Sequence, residues 1–407
     1  MSARSATQSL RETLAQALPE RPFRVELWDG SSLSPTNGAG GPTFSLRSPR
    51  ALAHLLRAPG QLGLGRAYVS GEVEVSDIDA VLELLDTYTL PPLDARGKAR
   101  LVAGAVRAGA LGSLPRTPVA ELRPRGRRHS RERDRRAVTH HYDVSNEFFA
   151  LMLGKSMTYS CAIFSGDART LEDAQRTKLE LVCVKLGLAP GERVLDVGCG
   201  WGSFALHAAA EHGVSVTAIT LSEPQAVLAR ERAAAAGLAK RVDVRVADYR
   251  DLAGEQFDAI ASIGMVEHVG SANIDAYARH LAGVLRPGGR LLNHGIARLR
   301  YGDPEAGPFS ERFVFPDAAP LHLSRVLSAI EVAGLEPTHV EGFRLEYVRT
   351  LREWARNLDE HRERAEALIG TERMRIWRLY VRAARRGFER GFTSVFQVLA
   401  ERPQERL

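Results

Sequence analysis

The chain has little cysteine: Cys161, Cys183 and Cys199 are the only three in 407 residues. None forms a CxxC pair, and no HExxH occurs. The sequence therefore spells neither a disulfide scaffold nor a local zinc motif. The thiols read as free groups in a reducing compartment, and no metal is expected. Aromatic residues are only 7% of the chain. The arginine-rich stretch "RPRGRRHSRERDRR" (123–136) contains none, unlike a surface on which single-stranded bases stack. No apolar run approaches a bilayer span. The first residues, "MSARSATQSLRETLAQALPERPF", lack the apolar centre of a secretory signal. These absences place the protein in the cytoplasm, with contact to the inner face of the membrane still open. There is no internal repeat.

What remains is ordinary globular material, 44% apolar and 26% charged, with a formal charge of +6. The basic balance favours an anionic partner: nucleic acid, an anionic membrane or an acidic ligand. The length allows two or three domains. Residues 1–20 read as a helical tail. Next, "FRVELWDGSSLSP" and "GPTFSLRS" read as strands and "PRALAHLLRA" as a short helix that starts at a proline. "GLGRAYVSGEVEVSDIDAVLELL" reads as a strand pair and a helix. Residues 1–115 thus form a small α+β accessory domain. Its last segment, 94–114, is a basic amphipathic helix carrying Lys98, Arg100 and Arg107. Such a helix lies on a membrane or packs on its neighbour. Residues 116–136 read as an Arg-rich linker.

From residue 137 to 407, strands and helices alternate. "RVLDVG", "VSVTAITLS", "VDVRVAD", "FDAIASIGM" and "GRLLNHGIA" are the strands. Helices such as "GSFALHAAAEHG" and "EPQAVLARERAAAAG" lie between them. This pattern predicts an α/β fold, a Rossmann-like parallel sheet whose ligands bind at the strand C-termini. The C-terminal region, about 320–400, reads as helices, with Phe388, Phe392 and Phe396 as one helical stripe.

The first strand ends in "DVGCGWG". Its glycines, Gly198, Gly200 and Gly202, follow GxGxG, and Ser203 stands where the dinucleotide pattern GxGxxG has its last glycine. The acid before the loop, Asp196, suits a cationic ligand group better than a pyrophosphate. S-adenosylmethionine, with its amine and sulfonium, meets that demand. After the second strand, Thr220, Ser222 and Gln225 are the polar groups on offer. After the third, Asp248 and Tyr249 are placed to pair with and cover an adenine ring.

Several stretches together resemble the cyclopropane-fatty-acyl-phospholipid synthases and mycolic acid cyclopropane synthases. They are "HHYDVSNEFFALMLGKSMTYSCAIF", "VLDVGCGWGS", "ITLSEPQ", "ADYRDL", "GMVEHVG", "LLNHGIA" and "EYVRTLREW". The resemblance implies a class I methyltransferase sheet with helical insertions. It implies methyl transfer from S-adenosylmethionine to the cis double bond of an acyl chain in a membrane phospholipid. The product is a cyclopropane or a methylene branch, the latter reduced to a methyl branch by a flavin or nicotinamide reductase. It implies a bicarbonate ion held by the backbone of Cys161 and by Glu267, His294 and Tyr347. Cofactor contacts carry over to Tyr159, Ser160, Gly198, Gly200, Thr220, Leu221 and Gln225. Many relatives have tryptophan and an acid at 249 and 250, where this chain has Tyr249 and Arg250. His141 and Asp143 are expected to shape an entrance lid. An anionic membrane surface and a second copy of the chain are the other expected partners; nucleic acid is not. The readings weighed against this one are a non-lipid methyltransferase and a lipid-binding protein without catalysis.

Overall fold

The computed structural model describes residues 3–38, 40–110, 115–122, 126–142, 144–252, 254–300, 307–318 and 320–404. The chain packs as two units, residues 1–121 with 370–383, and residues 122–369 with 384–407.

The first unit holds helices α1 (Ala3–Ala17), α2 (Arg50–Arg57), α3 (Gln61–Val69), α4 (Ile78–Thr87) and α5 (Ala95–Arg107). Its sheet has the order β2-β1-β3-β4, from β1 (Arg24–Glu26), β2 (Ser32–Leu33), β3 (Thr43–Leu46) and β4 (Val73–Val75). Asp77 and Asp94 cap α4 and α5 by accepting backbone N–H bonds. The basic helix is α5. It buries Gly104 and Ala105, with Gly104 against Leu10 of α1. Lys98, Arg100 and Arg107 stay exposed. Residues 111–114 of that stretch lie outside the described residues. The stretch "GLGRAYV", expected as a strand, lies in α3. Short apolar runs do not separate helix from strand by period. Arg66 forks onto Glu121 at 2.6 and 2.7 Å, and that carboxylate is fully buried.

The second unit is built on a seven-stranded sheet of order β10-β11-β9-β8-β5-β6-β7. Its strands are β5 (Arg193–Val197), β6 (Ser215–Thr220), β7 (Val242–Val246), β8 (Phe257–Ile263), β9 (Leu285–Arg298), β10 (Glu336–Gly342) and β11 (Thr393–Glu401). β5 to β9 run parallel; β11 and β10 add antiparallel beyond β9. Helices α6 (Arg131–Tyr142), α7 (Asn146–Leu153), α8 (Leu171–Leu186), α9 (Ser203–Glu211), α10 (Glu223–Ala235) and α11 (Ile274–Val284) accompany the parallel strands. They are followed by α12 (Pro308–Phe313), α13 (Leu323–Val332), α14 (Arg344–Glu360), α15 (Arg362–Ile369) and α16 (Thr371–Glu389). Residues of α16 up to 383 pack in the first unit.

Alternation in β5 shows how the sheet acquires two cores. Val194 joins α8, α9 and α10 on one face, and Leu195 joins α11 and α13 on the other. The connection from β5 goes to β6 on one side, while β8 lies on the other. That reversal opens a crevice at the C-terminal end of β5. Thr170 and Asp173 start α8 with a capping box, and Ser222 caps α10, so Glu223 opens that helix as expected.

Two expectations for this unit are corrected. The C-terminal region is not all helix: "EPTHVEG" and "TSVFQVLAE" are β10 and β11. The phenylalanine stripe is broken accordingly. Phe388 ends α16, Gly391 at φ +70° turns the chain, and Phe396 lies in a strand. The Arg-rich stretch is also more than a linker, since residues from 131 onward form α6. Part of its charge is paired with acids of later segments, although most of its described arginines stay exposed. Arg128 binds Asp317 and Glu311, Arg133 binds Asp317, and Arg131 binds Asp251. No described helix is long and apolar enough to cross a membrane.

Candidate active site

The crevice past β5 is a pocket, and every cofactor contact expected from the sequence lines it. Asp196, Gly198 and Gly200 come from β5 and its loop; Thr220, Leu221 and Gln225 follow β6; Asp248 and Tyr249 follow β7; Tyr159 and Ser160 come from the segment before α8. The glycine spacing has a backbone cause. Gly198, Gly200 and Gly202 have φ of +79°, +53° and +82°, a region L side chains rarely adopt. Gly202 is the N-cap of α9, and a Cβ there would stand 3.2 Å from Ala229 Cβ.

Thr220 donates to Gln225 Oε1 at 2.7 Å and accepts from Ser222 N at 3.2 Å, which fixes the turn into α10. Tyr249 stands edge-on to Tyr277, centroids 5.4 Å apart. Arg250 occupies both oxygens of Asp248 and reaches Asp134 of α6 at 3.1 Å. Asp134 and Tyr142 of α6 themselves line the pocket, so α6 forms one of its walls. His141 is buried, donates from Nδ1 to Val314 O at 2.9 Å, and stacks on Tyr159. Asp143 lies outside the described residues.

Several pocket groups escaped the sequence reading, Lys178 and Trp201 among them. Lys178 of α8 is fully buried and donates to Ser160 Oγ at 2.8 Å. Burial lowers it to about 8, against the opposing fields of Cys161 and Asp196. Burial raises Asp196 to about 7, against the field of Lys178, and its Oδ2 has no hydrogen-bond partner among the described residues. A cationic ligand group would complete that carboxylate. The signal for Lys178 was present: it falls on the α8 stripe of Ala174, Gln175, Leu179, Val182 and Leu186, where an ammonium needs a partner. Another missed group is Trp201. It packs on Phe149 and donates to Asn146 Oδ1 at 2.8 Å. We expect Lys178→Met to weaken S-adenosylmethionine binding by about tenfold or more, roughly 1.4 kcal/mol, because Ser160 and Asp196 lose their shared cation. Isothermal titration measures it; unchanged affinity contradicts this role.

None of the expected bicarbonate residues lines the pocket itself. They fall in two pairs. Cys161 and Tyr347 meet through α14. Cys161 Sγ lies 3.8 Å from Phe343 O, the residue before α14, and Ala162 N donates to Thr350 Oγ1 at 3.0 Å. Tyr347 is buried between Trp354 and Phe388, and Trp354 in turn touches Tyr159 of the pocket. Burial drives the Cys161 thiol far above its usual range, so it is no nucleophile.

Glu267 follows β8, and His294 lies in β9 opposite Ile263, the last residue of β8. Glu267 sits in a 3₁₀ turn (Val266–His268), and its Oε1 accepts from Ile296 N at 2.6 Å. Its Oε2 is buried with no hydrogen-bond partner among the described residues, and burial raises the carboxyl to about 7. His294 is buried and held neutral by burial and by the nearby charges of Lys178 and Lys185. Lys185 Nζ donates to Gln397 Oε1 at 2.7 Å, so the amide nitrogen of Gln397 must face His294 Nδ1, 3.2 Å away. Nδ1 therefore accepts, and the ring proton sits on Nε2, which has no partner among the described residues. The site thus offers one buried donor, His294 Nε2–H, and one buried acceptor, Glu267 Oε2.

Comparison with known proteins agrees with this geometry. Residues 129–398 match the family model described as mycolic acid cyclopropane synthetase. The chain is 42% identical over 401 residues to a "Probable fatty acid methyltransferase" of Mycobacterium tuberculosis, covering 96% of this chain and 93% of that one. It is 31% identical to the "Tuberculostearic acid methyltransferase" of the same organism, over 97% and 90% of the two chains. Among solved structures, a mycolic acid cyclopropane synthase complexed with SAH and CTAB superposes with a TM-score of 0.63 at 31% identity, over 66% of this chain and 98% of that one. The chain belongs to the mycolic acid cyclopropane synthetase family and is an S-adenosylmethionine-dependent methyltransferase.

Proposed function

We propose that this enzyme transfers the methyl group of S-adenosylmethionine to a carbon of the cis double bond in an unsaturated acyl chain of a membrane phospholipid. The observation that carries the reading is that two buried polar atoms, Glu267 Oε2 after β8 and His294 Nε2–H on β9, have no hydrogen-bond partner among the described residues, in a chain whose expected cofactor contacts all line one pocket.

An alkene is a weak nucleophile, and its attack on the sulfonium leaves a carbocation. Alignment and nearby negative charge must therefore lower the barrier. Asp196 would hold the cofactor's amine, with Tyr159, Ser160 and the glycine loop around the methionine part. Thr220, Leu221, Gln225, Asp248 and Tyr249 would hold the nucleoside. Bicarbonate fits the second site, because it has both an acceptor oxygen for His294 Nε2–H and a hydroxyl for Glu267 Oε2. Bound there with Cys161 N–H and the Tyr347 hydroxyl, it would supply a basic, negatively charged oxygen beside the reacting chain. Glu267, near 7, holds or releases a proton at neutral pH. The carbon that gives up a proton decides the product. Loss from the added methyl closes a cyclopropane; loss after a hydride shift leaves a methylene branch, which a separate flavin or nicotinamide reductase would saturate.

The phospholipid and the anionic membrane surface rest on coarser support: the charge of +6, and the exposed Lys98, Arg100, Arg107 and Val102 of α5. Ion pairs of Arg128, Arg131 and Arg133 with Asp317, Glu311 and Asp251 neutralise part of the basic stretch that favoured nucleic acid. The test supplies purified protein and methyl-labelled cofactor with anionic phosphatidylglycerol vesicles bearing cis-monounsaturated chains, or with the free fatty acid. Label in the phospholipid acyl chains is expected. Label confined to the free acid overturns the phospholipid assignment and leaves acyl methylation standing.

A further inference from the structure

We propose that Cys183, His207 and His212, with Glu180, form a zinc site between α8 and α9, separate from the cofactor pocket. Nothing in the methylation chemistry calls for these residues, and none of them lines that pocket.

The site is assembled from two helices. Glu180 and Cys183 are three residues apart on α8, hence on one face. His207 lies in α9, and His212 is its C-cap. Donor atoms of Cys183, His207 and His212 all lie within 4.8 Å of one another. Glu180 Oε2 stands 3.0 Å from His207 Nε2 and 3.1 Å from His212 Nε2. A zinc ion with bonds of about 2.0 Å to nitrogen and oxygen sets tetrahedral ligand–ligand edges of roughly 3.3 Å. The two carboxylate–imidazole edges are already close to that length. The sulfur edge closes with a small movement of side chains.

The donor set selects the ion. A thiolate, two imidazoles and a carboxylate suit a borderline-soft divalent metal, whereas magnesium and calcium prefer oxygen alone. The thiolate and carboxylate together balance the charge of Zn²⁺. Binding releases the Cys183 proton to solvent, and the two Nε2 atoms bind as neutral lone-pair donors. Access is present as well: the Glu180 side chain is 46% exposed, while the imidazoles are 13% and 18% exposed. The site would join α8, which carries Lys178 beneath the pocket, to α9, which begins at the glycine loop. The histidines, with four residues between them, keep a spacing that zinc signatures use, but no CxxC pair accompanies them, and the other two ligands, Glu180 and Cys183, come from a different helix.

The competing account is a carboxylate that accepts hydrogen bonds from two imidazoles near a helix C-terminus, with no metal. The experiment separates them. The full chain is dialysed against chelator, then titrated with zinc sulfate in competition with a chromogenic zinc indicator, and separately with cobalt. Expected are a single zinc equivalent per chain, a rise in Tm on zinc addition, and a near-ultraviolet thiolate-to-cobalt band. Cys183→Ser abolishes that band, and His207→Ala and His212→Ala each weaken zinc by about tenfold or more. Circular dichroism and Tm of the metal-free variants establish that each is folded. Failure to retain zinc, or zinc retained equally by folded Cys183→Ser and His207→Ala, overturns the site. Neither result touches the methyltransferase reading, because cofactor binding is read independently.

Discussion

Glu267→Gln lowers kcat by about 10²- to 10³-fold, the usual loss when one group placed to meet transition-state charge is removed, and leaves S-adenosylmethionine affinity within about threefold. The reasoning is local. Oε1 is held by Ile296 N in either variant, so the turn keeps its shape. Oε2 is what changes: an acceptor able to carry charge and a proton becomes an amide donor. The same residue predicts a pH signature. Wild-type activity rises with pH through about 7, as the raised carboxyl ionises, and that limb is absent from Glu267→Gln. Stability runs the other way. A carboxyl raised from 4.5 to about 7 by burial favours the folded state while protonated. That contribution is complete below 4.5 and is lost as pH rises through about 7. At about pH 8 the variant is therefore more stable than the wild type by up to roughly 3 kcal/mol, with the advantage fading under acid conditions. Steady-state kinetics and urea melts at several pH values measure both. An inactive variant that is also less stable at alkaline pH would mean a structural role only.

Gly295→Ala has the next largest effect. Gly295 lies between His294 and Ile296 on β9, and a Cβ there would come 2.2 Å from Val266 Cγ1 and 3.6 Å from Glu267 Oε2. Val266 must change rotamer or the 3₁₀ turn must shift off the strand, and a shift of the turn carries Glu267 with it. Overpacking of this kind costs about 1–3 kcal/mol, and displacement of the carboxylate by about 1 Å costs activity by about 10²-fold. The pair Gly295→Ala with Val266→Ala removes the clash and restores much of both. A double-mutant cycle on Tm and kcat measures the coupling. Additive losses, with no rescue, contradict the geometry.

Much of the second unit was legible because its signals are local. Strand and helix alternation, glycines at left-handed positions and the acid at the end of β5 each report a backbone requirement in place. The cofactor pocket follows from them, since parallel strands leave their C-termini on one edge. What could not be read depends on contacts across the chain. β11 looks helical when Phe388, Phe392 and Phe396 are counted at fours, and only its pairing with β9, Gln397 opposite His294, shows it as a strand. That pairing also sets the His294 tautomer, through a chain of bonds from Lys185 that no spacing reveals. The ion pairs of Arg128, Arg131 and Arg133 could not be read from the sequence, because their acids, Asp317, Glu311 and Asp251, lie more than a hundred residues away. Lys178 was legible as an ammonium on the buried stripe of α8, but its partner, Ser160, lies outside that helix.

The account turns on an acyl double bond being the methyl acceptor. The direct measurement is fatty-acid analysis of a bacterial host rich in oleoyl phospholipids, grown on methyl-labelled methionine, with the wild-type chain, with Glu267→Gln, and with neither. The account predicts a new phospholipid acyl chain, heavier by one methionine-derived carbon, in the wild-type strain alone. A ring or a methylene branch identifies the product. Unlabelled acyl chains in a strain whose purified protein binds S-adenosylmethionine and turns over on another acceptor would contradict it.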